Sequence, residues 1–353
     1  MESASIPARP PRARGDVLRE NISKWGLIVL LLALPVYFGI KDLGEEGDLS
    51  RLGNNLKDGL SNGAIWASIA IGYTLVYGII ELINFAHGDL FMIGSFIAFG
   101  MLGVIGLTTE TTGIALFGGL LIVLLVAMIG AGTLNTMIER VAYRPLRNAP
   151  KLAPLITAVG FSFILQNVGL LWLGGSHNSV PDLVNSQDTF VTIFGISINN
   201  GDVLAAVVTI PLVVLLVNFI SRSRIGRAMR ATAQDPEAAR LMGINVDTTI
   251  SFTFLLGGLM AGAAGLTYAL YQTDVWFFSG FIAGLLSFTA AVMGGIGNLK
   301  GAVLGGLIIG VIQQISDNRI GTEWTAAIVF AYLVLILVFR PQGLLGEQTR
   351  EAG

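Results

Sequence analysis

Gly113–Thr136 reads GIALFGGLLIVLLVAMIGAGTLNT, twenty-four residues without one charged side chain. As a helix it is about 36 Å long, enough to cross a hydrocarbon layer of about 30 Å. Its apolar residues run continuously rather than alternately, which fits a spanning helix and excludes a barrel strand. Comparable runs occur at 25–40, 59–80, 90–106, 154–173, 202–220, 248–271, 281–296, 301–316 and 324–339. The expected fold is therefore all-α, a polytopic membrane protein of about ten hydrophobic helical segments.

Composition agrees. Only 12% of the 353 residues are charged and 53% are hydrophobic, whereas a soluble domain carries about 25% charged residues. The forty-five glycines imply helices that pack through small residues. Without cysteine, and with His87 and His177 as the only histidines, disulfides, thiol chemistry and a multi-histidine metal centre are not expected. Nothing suggests a nucleic-acid partner.

Charge placement orients the segments. With the N-terminus inside, Arg9, Arg12, Arg14, Arg19 and Lys24, four basic residues in 139–151, five in 221–247, Lys300, Arg340 and Arg350 all lie on the cytoplasmic side. That is seventeen of the twenty-one Lys and Arg, as the positive-inside rule requires. Both termini are then cytoplasmic, and the outer loop 174–201 has no basic residue.

Residues 1–24 read as a disordered cytoplasmic tail, 25–340 as one transmembrane domain and 341–353 as a second tail. Trp25–Ile40 follows a basic stretch as a signal peptide would, but no small-residue cleavage site follows it, so it reads as an uncleaved anchor. The outer loop is β-prone around Phe190–Ile193 and is read either as a small cap or as a tether. Counting charges leaves open whether 281–316 is two full spans or a re-entrant pair of half-helices. Gly258-xxx-Gly262, Gly301-xxx-Gly305 and Gly306-xxx-Gly310 mark 257–310 as the dense centre or a subunit contact.

Two polar stretches stand out against this background. Gly226–Val246, GRAMRATAQDPEAARLMGINV, is cytoplasmic and holds a short capped helix. Asp235 is its N-cap, Pro236 its first residue, Glu237 lies in the first turn, and Gly243 supplies a left-handed stop. A tether needs no such capping, but a helix that fits a partner does. The second stretch, Glu81–Asp89 (ELINFAHGD), joins two spans without a Lys or Arg. A charge at membrane depth costs about 2.5–3.5 kcal/mol on insertion scales, so Glu81, Asn84, His87 and Asp89 are read as facing a cavity or each other. Asn84 and Asp89 as simple helix caps are the alternative. Gly88 would allow a helix break there. Gln166 and Asn167 read as interhelical hydrogen-bonding groups or as path-lining residues. Tyr73, Tyr77 and Thr289 are further cavity candidates.

No G-x-x-x-x-G-K-[ST] loop, G-x-S-x-G or H-E-x-x-H occurs, so the chain is not expected to hydrolyse ATP or act as a hydrolase.

Asn62–Met92, Glu139–Asn167 (ERVAYRPLRNAPKLAPLITAVGFSFILQN) and Gly226–Gln314 resemble the permease subunit of bacterial branched-chain amino-acid ABC transporters of the LIV type. INFAHGD and ERVAYRPLR are the specific blocks. The resemblance implies a location in the cytoplasmic membrane of a bacterium or archaeon. It implies as partners a second homologous permease, two cytoplasmic ATPase subunits that carry ATP and Mg, and an extracytoplasmic amino-acid-binding protein. It also implies that the capped cytoplasmic helix docks in the ATPase. Glu237-Ala238-Ala239-xxx-Gly243 matches the spacing of the EAA-xxx-G docking signature, although that signature's later I-x-L-P does not follow. Arg227, Arg230 and Arg240 would meet acidic rims of the groove. A urea or short-chain amide permease is the alternative within the family. A self-contained secondary transporter or channel, with Glu81, His87 and Asp89 as a relay, is the alternative outside it.

Overall fold

The computed structural model describes residues 14–45, 47–147, 149–150 and 152–346. Ten long helices match the ten apolar runs. They are α1 (Arg14–Glu45), α2 (Ser50–Ile80), α3 (His87–Ile105), α4 (Gly113–Ile138), α5 (Leu152–Leu173) and α6 (Asn200–Arg222), followed after a shorter polar pair by α9 (Val246–Gln272), α10 (Ser279–Gly294), α11 (Leu299–Arg319) and α12 (Thr322–Phe339). The polar pair is α7 (Arg224–Gln234) and α8 (Pro236–Leu241). A π-helical turn, Glu139–Tyr143, and a 3-10 turn, Arg144–Leu146, continue α4. Among the described residues eight helices are long and apolar enough to cross a membrane, and α10 is a shorter apolar helix.

α1 starts at Arg14, so it takes in the second half of the stretch read as a disordered tail. No proline stands between Pro11 and Pro35 to stop it. The rest of that tail, residues 1–13, and 347–353 of the second tail lie outside the described residues.

The centre is built from α2, α3, α9 and α11. In the apolar windows of α2 and α9, 72% and 83% of residues are buried, against 22% in α4, α6 and α12. The latter helices therefore form a ring whose apolar outer faces meet lipid or another subunit. The GxxxG glycines face inward. A Cβ on Gly310 would lie 2.3 Å from the Gly59 carbonyl oxygen, and one on Gly306 2.5 Å from Ala67 Cα. The corresponding neighbours of Gly258 and Gly262 are the carbonyl oxygens of Ala131, at 2.6 Å, and Ala127, at 2.4 Å. The 257–310 stretch is thus the internal packing centre rather than a subunit contact.

α11 runs antiparallel to α2, with Gly310 beside Gly59 and, just before the start of α11, Gly297 beside Gly78, and it is long and apolar enough to cross a membrane. α10 has sixteen residues, about 24 Å, and begins deep. A Cβ on its Gly280 would lie 2.8 Å from Asp89 Cα. The segment 273–278 therefore folds back inward before α10 starts.

The loop 174–201 folds as a small cap. β2 (Thr189–Ile193) and β3 (Ile196–Asn199) form an antiparallel hairpin, and β1 (Asn178–Ser179) pairs antiparallel with β4 (Asp274–Val275) after α9. At the opposite face, the backbone N–H groups of Leu344 and Leu345 donate to the Met293 and Gly294 carbonyls, fastening the start of the second tail to the end of α10.

Candidate functional site

The polar segment after α6 is two helices with different tasks. Ser223 caps α7, its Oγ accepting from Gly226 N–H at 2.9 Å. Gly226, Met229 and Thr232 of α7 are buried against the body. The last carbonyls of a helix have no partner within it. Here Arg230 donates to Ile220 O at 2.7 Å and Arg227 to Arg222 O at 3.2 Å. Both guanidiniums thus help close the end of α6 while remaining exposed. Arg240 is exposed.

α8 projects. Asp235 Oδ1 accepts from the Glu237 and Ala238 N–H groups, each at 2.9 Å, and Pro236 takes the first position. Gly243 has φ +81°, which side chains rarely adopt, so glycine is required where the chain turns back. Ala239 packs inward, while Glu237 and Ala238 are exposed. Leu241 and Met242 are 89% and 83% exposed. Two adjacent large apolar side chains on a polar tip have nothing to bury them within this subunit.

A charge network joins this segment to the body. Glu139, in the π-helical turn, is fully buried. It accepts from Ser251 Oγ at 2.6 Å and pairs with Arg147. Arg147 also reaches Asp247 at 2.5 Å, and Arg144 meets the other oxygen of Asp247 at 2.6 Å. Asp247 lies in the first turn of α9, directly after α8 and its turn. The end of α4, the ERVAYRPLR block and the root of the projecting segment are therefore one clamp. The block therefore has a structural part beyond its charge and its family likeness. The available signal was Glu139 at the end of an uncharged helix with Arg147 eight residues on.

The Glu81–Asp89 stretch does not assemble one site. Glu81 is exposed with φ +52° and ends α2, its N–H donating to Tyr77 O at 2.8 Å. Asn84 is buried and structural: it donates to Asn135 Oδ1 at 3.2 Å and accepts from Tyr143 OH at 3.1 Å. Asn135 in turn donates to Phe254 O at 2.6 Å, so α4, the π-helical turn and α9 meet on one loop. His87 is fully buried against the Tyr73 ring, with centroids 4.8 Å apart, and beside Gly72. Asp89 turns to α5, accepting from Ser162 Oγ at 2.5 Å, and Gln166 donates to that same Ser162 oxygen at 3.1 Å.

Depth explains why an Asp is tolerated there. His87 begins α3 beside Gly72 of α2, eight residues before α2 ends, so the link climbs back into the protein before the helix starts. Asp89 sits in the first turn of α3 and against the first turn of α10. Helix N-termini favour a carboxylate. Irregular backbone at this depth is covered by protein, as it must be. Thr289 bonds back to the Leu285 carbonyl of its own helix at 2.8 Å. Tyr73 and Tyr77 line a small apolar hollow with Phe288. Asn167 stands apart: it is exposed on the outer face of α5 and donates to Phe163 O at 2.8 Å.

Residues 55–338 match the family described as branched-chain amino acid transport system / permease component. The chain is 41% identical over 302 residues to the high-affinity branched-chain amino acid transport system permease protein BraD of Pseudomonas aeruginosa, covering 83% of this chain and 95% of that protein. It is 40% identical over 292 residues to the permease protein LivH of the same kind of system in Escherichia coli K12, covering 82% and 94%. The fructose import permease protein FrcC of Rhizobium meliloti is 30% identical over 199 residues, covering 53% and 54%.

Proposed function

This chain belongs to the branched-chain amino acid transport system permease family, and from that membership we propose that it is the transmembrane subunit of an ATP-driven importer of branched-chain or other apolar amino acids. It sits in the cytoplasmic membrane with both termini inside. It works with a second homologous permease, two ATPase subunits that hold ATP and Mg, and an extracytoplasmic binding protein. The relatives matched over nearly their full length are named for branched-chain amino acids, whereas the fructose permease matches over about half; this favours amino acids over urea, short-chain amides or sugars.

One observation carries the mechanism. α8 is a capped cytoplasmic projection with Leu241 and Met242 exposed at its end, on a chain that has no phosphate-binding loop of its own. Closing of the ATPase dimer moves α8, the clamp at Asp247 passes that motion to α9 and α4, and access switches from the outer to the inner side. The exposed face of α5, where Asn167 places an amide among apolar residues, is oriented toward the second permease and the path between the two. An exposed amide on that face is easier to accommodate beside water or protein than in lipid. Tyr73, His87, Asp89 and Gln166 are buried within one subunit and support the helices that move.

Changing both Leu241 and Met242 to Asp tests this. Burying one large apolar side chain stabilises by about 1.5–3 kcal/mol, so the ATPase subunits should be lost on purification and uptake should fall by more than about tenfold. Insertion of the permease should be unaffected. Variants that retain the ATPase and transport normally would show that α8 is not the docking element.

A further inference from the structure

The β2–β3 hairpin stands at the start of α6, at the end of the bundle opposite α7 and α8, and carries an apolar surface that nothing in the chain covers. Residues 189–201, TFVTIFGISINNG, contain no charged side chain. All of β2 is exposed, while β3 is half-buried. In water such an edge strand is guarded by charge, proline or a covering element, and β2 has none of these. Its turn is more telling. Ile193 pairs with Ile196, so the turn consists of Phe194 and Gly195. Both have positive φ, +52° and +79°, the type I′ arrangement that favours Asn-Gly. A bulky side chain at positive φ is strained, and this phenylalanine is also 98% exposed. The fold gains nothing from the ring, so a surface outside the chain must be what rewards it.

Depth identifies that surface. A Cβ on Gly39 of α1 would lie 3.1 Å from the Leu52 side chain and 3.8 Å from that of Leu49. The first turns of α2 are therefore level with the end of the apolar run of α1, where Tyr37, Ile40 and Leu43 are exposed. The hairpin is fastened to those same turns. A Cβ on Gly195 would lie 2.6 Å from Ser50 Oγ, and one on Gly53 2.7 Å from the Ile196 side chain. The Ser197 N–H donates to Asn54 Oδ1 at 3.0 Å. The turn thus lies level with the last exposed apolar residues of α1, at the edge of the hydrocarbon layer. At its other end the hairpin passes directly into α6, whose Val207, Ile210 and Val214 are exposed on the outer ring. α6 packs on α2 and α9, whereas the α5 face assigned above to the second permease belongs to a helix packed on α3.

We propose that the hairpin is a membrane anchor: Phe190, Ile193 and Phe194 insert into the interfacial layer of the bilayer and hold the adjoining ends of α2 and α6 at a fixed depth. Apolar and aromatic side chains are favoured at that boundary. The free edge of β2 would be left unsatisfied in hydrocarbon, but the headgroup layer supplies water and polar groups to it. A protein partner would find no charge on the hairpin to orient it, whereas a lipid surface requires none. The anchor needs only that the chain spans a membrane, and it stands or falls independently of the importer reading.

The chain has no cysteine, so a nitroxide can be attached at one chosen position. Full-length Phe194→Cys and Phe190→Cys permeases are labelled and reconstituted in vesicles of phosphatidylethanolamine and phosphatidylglycerol. Power-saturation electron paramagnetic resonance then compares collisions with oxygen, which concentrates in lipid, and with a water-soluble nickel chelate present on both sides. Ile210→Cys on the exposed face of α6 is the lipid reference, and Glu110→Cys, exposed in the loop between α3 and α4, is the water reference. The oxygen-to-nickel ratio at both hairpin positions should exceed that at Glu110→Cys by at least about threefold and fall below that at Ile210→Cys, as the interfacial layer requires. Phe190→Cys leaves the strained turn untouched should Phe194→Cys disturb it. A ratio at both hairpin positions equal to that at Glu110→Cys overturns the anchor. So does a water-like ratio that changes only when an extracytoplasmic binding protein is added, which would assign the hairpin to that protein. Dipolar broadening between labels on two permease copies, with a water-like ratio, overturns it as well and assigns the free edge of β2 to a second copy.

Discussion

Replacing Arg147 by Met removes one partner from a buried charge without removing its aliphatic bulk. Glu139 is fully buried and its other partner is Ser251, so in Arg147→Met it is left with a single hydroxyl donor. Removing one member of a buried pair costs about 3–5 kcal/mol. Arg147 keeps 17% of its side chain exposed and Ser251 still donates, which puts the expected loss near the bottom of that range, at about 3 kcal/mol. Glu139→Gln keeps an acceptor for Ser251 and leaves Arg147 with Asp247, so it should lose about 1–2 kcal/mol. The double variant leaves no orphaned charge and should be less destabilised than the sum of the two by about 1–3 kcal/mol. Arg144→Ala, whose side chain is 47% exposed, should lose at most about 1 kcal/mol. Unfolding of the permease in lipid–detergent micelles by increasing sodium dodecyl sulfate, followed by circular dichroism, measures all four. The same variants in proteoliposomes should hydrolyse more ATP per leucine imported, because the clamp joins the root of α8 to α4 and α9. Additive losses in the double variant, or an Arg147→Met permease within about 0.5 kcal/mol of wild type, would refute the clamp.

Gly310→Ala should lower unfolding stability by about 1–3 kcal/mol, because its Cβ would lie 2.4 Å from Gly63 backbone atoms that cannot yield. Gly100→Ala, with nothing within 4 Å, is the control and should be neutral or slightly stabilising in the same titration. Asn84→Ala removes bonds to Asn135 and Tyr143 but leaves the Asn135–Phe254 bond. Interhelical hydrogen bonds in membranes average about 0.6 kcal/mol and reach about 1.7, so the expected loss is about 1–2 kcal/mol, and a larger uptake defect than that would give Asn84 a role beyond packing.

The sequence by itself determined the class, the ten apolar segments and the capped helix at 235–243, because each depends on neighbours along the chain. Spanning length and continuous hydropathy need only a local window, and Asp235, Pro236 and Gly243 act on backbone groups within a turn of themselves. The short hairpin around Phe190–Ile193 was legible as β-prone for the same reason. Only the tertiary structure decided which polar groups meet. Glu81, Asn84, His87 and Asp89 are neighbours in sequence, yet Glu81 stays exposed at the end of α2 while the loop's climb into the protein sends Asn84, His87 and Asp89 to α4, α2 and α5 separately. Arg227 and Arg230 read locally as surface cations, and only the structure adds that each donates to an open carbonyl at the end of α6. Glu139 and Arg147 are near neighbours, but Arg147 meets Asp247 one hundred positions away and Glu139 meets Ser251 112 positions away. Such contacts carry no local signature, because a carboxylate in an apolar run announces that it needs a partner without saying which distant helix will bring one.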